Sequence, residues 1–139
     1  MKRLLTGLVL ALSTATATIA APKAFRAPHG IDVYPVKQDV FEVVINSGNG
    51  YGFWCGAADY ARRALGVGWQ EQIVIVREMG RSEVNGRRSA VQFTTNPEAL
   101  GITPRKMGYS VNGLNLGEAI TIQKGFSYCD KRLVYQGFF

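Results

Sequence analysis

Apolar and polar positions alternate clearly over Val40 to Asn46, where Phe41, Val43 and Ile45 stand against Glu42 and Val44. A period of two predicts a strand, and Ser47-Gly48-Asn49-Gly50 supplies the turn chemistry that ends it. Gln72 to Met79 has a different texture: Ile73, Val74, Ile75 and Val76 run without interruption, the β-branched density of a central strand. Arg88 to Thr95 follows Asn85-Gly86 and alternates Ala90 against Val91, Gln92 and Phe93. The two segments together predict an antiparallel hairpin, joined by an arginine- and serine-containing loop from Gly80 to Arg87.

Between these strands the period changes. From Phe53 to Leu65 the chain carries Ala57, Ala58, Ala61 and Ala64, with Arg62 and Arg63 near the end and Gly66 beyond, which predicts a helix and its stop. At about 100° per residue, Phe53, Trp54, Ala57, Ala58, Ala61, Ala64 and Leu65 share one arc, with Asp59, Arg62 and Arg63 opposite. A face made mostly of alanine lets a helix lie close to a sheet. Asp59 stands four residues before Arg63 and is spaced to pair with it. The same geometry puts Cys55 off the arc, on the flank shared with Arg62 and Asp59.

Weaker patterns fill the rest. Ala21 to Gly30 reads as an extended arm, Ile31 to Pro35 as a short edge strand, and Pro97 to Pro104 as room for one helical turn. Lys106 to Val111 and Ala119 to Gln123 are strand candidates around Asn112-Gly113, and Ser127 to Tyr135 reads as a last strand. The set predicts an α+β domain, one helix packed on an antiparallel sheet of about four to six strands.

The first residues do not belong to that domain. Met1-Lys2-Arg3, the apolar run Leu4 to Leu12 and the small residues up to Ala20-Ala21-Pro22 follow the charged, apolar, small-residue order of a secretory signal peptide. The apolar run is too short for a membrane-spanning helix, which needs about 20 residues. Thr18-Ile19-Ala20 places cleavage after Ala20, which leaves residues 21–139 as a single domain in a periplasmic or extracellular location.

An exported chain with 2 cysteines predicts a disulfide between Cys55 and Cys129, because the compartment is oxidising. Closing so long a loop stabilises the fold by roughly 4 kcal/mol in the chain-entropy model. The segment holding Cys129 is then expected to pass over the start of the helix. Charge adds a second constraint: 16 Lys and Arg against 10 Asp and Glu give +6, reduced once Lys2 and Arg3 leave. A basic domain favours anionic partners such as lipid headgroups, cell-wall polymers or nucleic acid.

Candidate chemistry is sparse. Cys55 at a helix start is similar to the nucleophile placement of papain-like and amidase-type cysteine hydrolases, but those families take a histidine base from downstream strands, and the single histidine, His29, lies upstream. Gly80-Arg81-Ser82-Glu83-Val84 lacks the second glycine of a nucleophile elbow. Asp59, Glu71, Glu78 and Glu83 could supply the two carboxylates of a glycosidase, with nothing in their contexts to choose a pair. Ligand spacing for a metal and a dinucleotide fingerprint are both missing, so no cofactor is expected. Arg81, Arg87 and Arg88 cluster on the hairpin loop, with Arg105-Lys106 a second basic pair, and clustered guanidinium groups grip phosphate or carboxylate.

The C-terminal run Leu133 to Phe139 looks like the terminal strand of outer-membrane barrels, but a barrel needs at least eight strands where this chain offers few; a buried aromatic terminus is expected instead. The Phe53 to Arg63 block and the run Gly86-Arg87-Arg88-Ser89-Ala90-Val91-Gln92-Phe93-Thr94 resemble small exported bacterial proteins of unassigned function, a resemblance that implies no activity. The expectation is a non-enzymatic cell-envelope domain with a binding or structural role, its partner an anionic envelope component or another protein and Arg81, Arg87 and Arg88 the candidate anion contact. The alternative is a small secreted hydrolase working through carboxylates.

Overall fold

In the computed structural model, the alternating segment is β3, Val40–Val44, and the two hairpin segments are β4, Gln72–Gly80, and β5, Ala90–Thr94. Residues 22–46 and 49–136 are described, with α2 side chains described to Lys131. The signal peptide, its cleavage point and the aromatic terminus at 137–139 lie outside them. Ahead of β3 come β1, Phe25–Ala27, and β2, Ile31–Lys37; after β5 come β6, Arg105–Lys106, and β7, Glu118–Thr121. These form one sheet in the order β1-β2-β3-β5-β4-β7-β6. Every neighbouring pair is antiparallel except β6 and β7.

The α+β class holds, with corrections to the expected layout. Among the described residues the sheet has seven strands and is mixed, and two helices pack on it. Ala21 to Gly30 is more than an arm, because Phe25–Ala27 pairs with Ile31–Val33 and takes the edge position expected of Ile31 to Pro35. Ser127 to Tyr135 is not a strand; it belongs to the helix α2, Ile122–Gln136. The reason is readable in the burial of Ile122, Gly125, Tyr128 and Cys129, spaced by three or four residues as on one helix face.

The first helix, α1, spans Gly50–Arg63 and is buried on more than the alanine arc. One side meets the sheet: a Cβ added at Gly56 would stand 2.7 Å from Ile31 Cγ2 and 2.9 Å from Val43 Cγ1, so only glycine permits this approach. Another side meets α2, where a Cβ at Gly125 would stand 2.9 Å from that of Ala58. Because α2 covers the flank at the disulfide, Cys55 is buried rather than exposed, and Asp59 is buried too, bonded to Arg63, whose Nη2 also reaches the Arg26 carbonyl on β1. The Cys55–Cys129 disulfide joins the two helices across 74 residues with the Cα atoms 4.9 Å apart. Phe41, Phe93, Ile73, Ile75 and Trp54 fill the core between sheet and helices. No described helix is long and apolar enough to cross a membrane.

Candidate functional site

The β4–β5 connection carries the arginines, and a buried carboxylate on the neighbouring strand shapes it. Alternation along β3 sends Phe41 and Val43 into the core with the helices and Glu42 to the opposite sheet face, where Glu42 is nonetheless fully buried. Four donors meet it there. Arg77 Nη2 donates to Oε2 at 3.0 Å, Gln92 Nε2 at 3.1 Å and the Glu83 backbone N–H at 3.2 Å, while the Ser82 hydroxyl donates to Oε1. Ser82 Oγ in turn accepts the Val84 and Asn85 backbone N–H groups, each at 3.1 Å. The Ser82 backbone N–H closes the loop onto the Arg87 carbonyl at 2.6 Å.

This frame fixes two of the three candidate arginines. Arg81 Nη1 donates across the loop to the Gly86 carbonyl at 2.9 Å, and Arg87 donates to the Asn46 side chain at the end of β3. Arg81, Arg87 and Arg88 are all exposed, so their remaining N–H groups face solvent. Arg77 also donates to the Arg81 carbonyl at 3.0 Å, and its charge is matched by Glu42. Arg105 and Lys106 lie elsewhere, on β6 at the far edge of the sheet.

Residues that suggested catalysis are dispersed. Asp59 is buried on α1 and accepts Arg63 Nε at 2.8 Å. Glu78 Oε1 accepts the Leu116 backbone N–H at 3.0 Å. Glu71 is exposed just ahead of β4, and Glu83 is exposed on the arginine loop. Cys55 is in the disulfide and offers no thiolate. His29 Nε2 lies 2.9 Å from the Cys129 carbonyl; since a carbonyl only accepts, that nitrogen carries the proton. Among the described residues, no three His, Cys, Asp or Glu side chains gather as a metal site would require.

Glu42 is the residue that sequence reasoning passed over, and its partner across the register, Gln92, was the available signal. Two polar side chains facing each other within apolar strands mark a covered polar pair rather than a wet face. A second buried carboxylate, Glu118, holds another loop: Oε1 accepts Gly108 N and Asn115 Nδ2, both at 3.1 Å, and Oε2 accepts Asn115 N at 3.0 Å. Burial would raise its pKa, but the bonds from Asn115 and Gly108 and the nearby Arg105 charge outweigh burial and hold it below the ordinary carboxylate value.

Fold and site together define a disulfide-linked α+β domain that presents an anchored basic loop. No family model matches the chain, and no curated protein or solved structure is similar enough to match it.

Proposed function

We propose that this chain is an exported domain of the cell envelope that binds an anionic component there without transforming it. The observation that carries this reading is the Glu42 frame, which holds Arg81 and Arg87 on one short loop with guanidinium groups turned to solvent. Two cations already fixed in place lose little side-chain freedom when an anion arrives, and that saving adds to affinity. Guanidinium suits phosphate and carboxylate oxygens because its N–H groups match them in pairs. The hydrolase alternative lacks equivalent support, since Asp59, Glu71, Glu78 and Glu83 sit on separate elements or are held by Arg63 and Leu116.

Replacing Arg81, Arg87 and Arg88 together by Gln tests the loop against net charge alone. The control removes three charges elsewhere, at Lys23, Lys37 and Lys131, and avoids Arg63, which pairs with Asp59. Retention on vesicles containing anionic lipid, or on a polyanionic matrix, is expected to fall further for the loop variant and to fall with salt for the unmodified protein, as exposed charges are screened over about 10 Å at 0.1 M. Equal losses from both variants would reduce the loop to a solvated turn. N-terminal sequencing of the exported protein is expected to begin at Ala21; an intact Met1 would remove the export reading.

A further inference from the structure

A concave feature lies at the opposite edge of the sheet from β1. It is a groove of about 640 Å³, lined by Gln72, Lys106, Tyr109, Thr121 and Lys124 among others, with no acidic side chain in its wall. That volume lies in the range of small-molecule sites. Sheet register explains why these residues meet. Lys106 partners Ala119, Val74 partners Ala119 and Gln72 partners Thr121, so alternation turns Gln72, Lys106, Ala119 and Thr121 to one face. Ile73 and Ile120, on the other face, join the helix-side core. Lys124 enters from the first turn of α2, the element that directly follows β7.

The placement of Lys124 is unfavourable for the empty protein. A cation in a first helical turn opposes the helix dipole, and α2 has no acidic residue in that turn to offset it, although its first N–H groups are already bonded, Ile122 N to the Glu71 carbonyl, Gln123 N to the Trp69 carbonyl and Lys124 N to Thr121 Oγ1. An anion in the groove would relieve this, since Lys106 and Lys124 both favour negative charge there. The rim is already ordered: Glu118 Oε1 holds the Gly108 N–H at 3.1 Å, and the neighbouring Met107 packs on the core. Beside these charges stand the Gln72 amide, the Thr121 hydroxyl, whose oxygen accepts the Lys124 N–H at 3.2 Å while its own proton can be donated to a ligand hydroxyl, and Tyr109, whose side chain is fully exposed and offers a face for stacking.

From this set we propose that the groove binds an acidic saccharide, a sugar ring bearing a phosphate or carboxylate group. Lys106 and Lys124 hold the acid, Gln72 and Thr121 the ring hydroxyls, and Tyr109 the apolar ring face. The site is separate from the arginine loop and stands or falls independently of it.

Isothermal titration calorimetry on the purified, disulfide-bonded protein tests this with glucose 6-phosphate, glucuronic acid, glucose and inorganic phosphate. Both acidic sugars are expected to bind with dissociation constants of about 1 mM or tighter, and glucose and inorganic phosphate at least roughly tenfold more weakly. Lys106→Gln with Lys124→Gln is expected to weaken the acidic sugars by at least about tenfold, while the melting temperature without ligand stays level or rises. Tyr109→Ala is expected to weaken both acidic sugars and leave inorganic phosphate unchanged. The arginine-loop triple variant is expected to bind the acidic sugars normally. No binding of either acidic sugar, equal binding by the double lysine variant, or phosphate matching glucose 6-phosphate would overturn the proposal.

Discussion

Glu42 and Glu118 are both buried glutamates, each holds a loop, and they do so with different chemistry. Glu42 is met by side chains from three places, Arg77 on β4, Ser82 in the loop and Gln92 on β5, with one backbone N–H from Glu83. Glu118 has only its own short neighbourhood, the Gly108 and Asn115 backbone N–H groups and the Asn115 amide. One carboxylate is therefore a long-range crosslink and the other a local clasp. The difference matters because the first fixes the arginine loop to the sheet, whereas the second shapes the rim beside β6. It also separates their energetics: removing Glu42 leaves a partly buried cation and several donors without a partner, and removing Glu118 leaves backbone groups that can rearrange toward water.

The largest expected effect follows from that asymmetry. Glu42→Ala should destabilise the domain by about 3 kcal/mol or more, since breaking a buried ion pair from one side costs about 3–5 kcal/mol. Urea unfolding of the disulfide-bonded protein measures it. The variant should also release the arginine loop, seen as faster exchange of the Val84 and Asn85 amides. A cost below that of Glu118→Gln would invert the comparison.

Glu118→Gln should cost about 1–3 kcal/mol at neutral pH, the range for leaving buried hydrogen-bonding groups poorly matched. Its titration gives a second signature. With the folded pKa below the ordinary value of 4.5, the folded state holds the proton less tightly than the unfolded chain. The stabilisation is thus complete above about pH 4.5 and is lost as pH falls through the lower folded value. Unfolding free energies of the two proteins should converge in acid. A gap that does not narrow at all as pH is lowered from 4.5 until the domain unfolds would mean that the Glu118 charge contributes nothing and only shape is lost.

The two regions also differ in how readable they were. The hairpin, the alanine-rich helix and the Cys55–Cys129 pairing rest on local periodicity and on the even cysteine count, and all three stand in the fold. Arg81 and Arg87 share a loop, as their spacing required. What escaped reading depends on tertiary partners. The arc of α1 alone leaves Cys55 and Asp59 on an open flank, and α2, the element that covers Cys55, hides its helical stripe behind Gly125, a residue that is poor in helices but required by the contact with Ala58. Glu42 alternates like a solvent-facing residue, and nothing within β3 announces that residues 77, 82 and 92 will enclose it.

The smallest effect sharpens the comparison most, because it concerns how the Glu42 crosslink reaches the backbone. Ser82 stands between them, donating to Glu42 and accepting from the Val84 and Asn85 N–H groups, whereas Glu118 touches its backbone donors directly. Ser82→Ala removes the relay yet leaves Arg77 and Gln92 on the carboxylate, so its cost should be only about 1 kcal/mol, that of one net hydrogen bond. Groups in one network couple, so Ser82→Ala should cost less in a Glu42→Gln background, with an interaction term of at least about 0.5 kcal/mol. The Glu118→Gln background serves as the control, since Glu118 lies in a different network, and there the costs should add. Additive costs in both backgrounds would mean that the Glu42–Ser82 contact carries no energy and that the loop keeps its shape through its own backbone bond from Ser82 to Arg87.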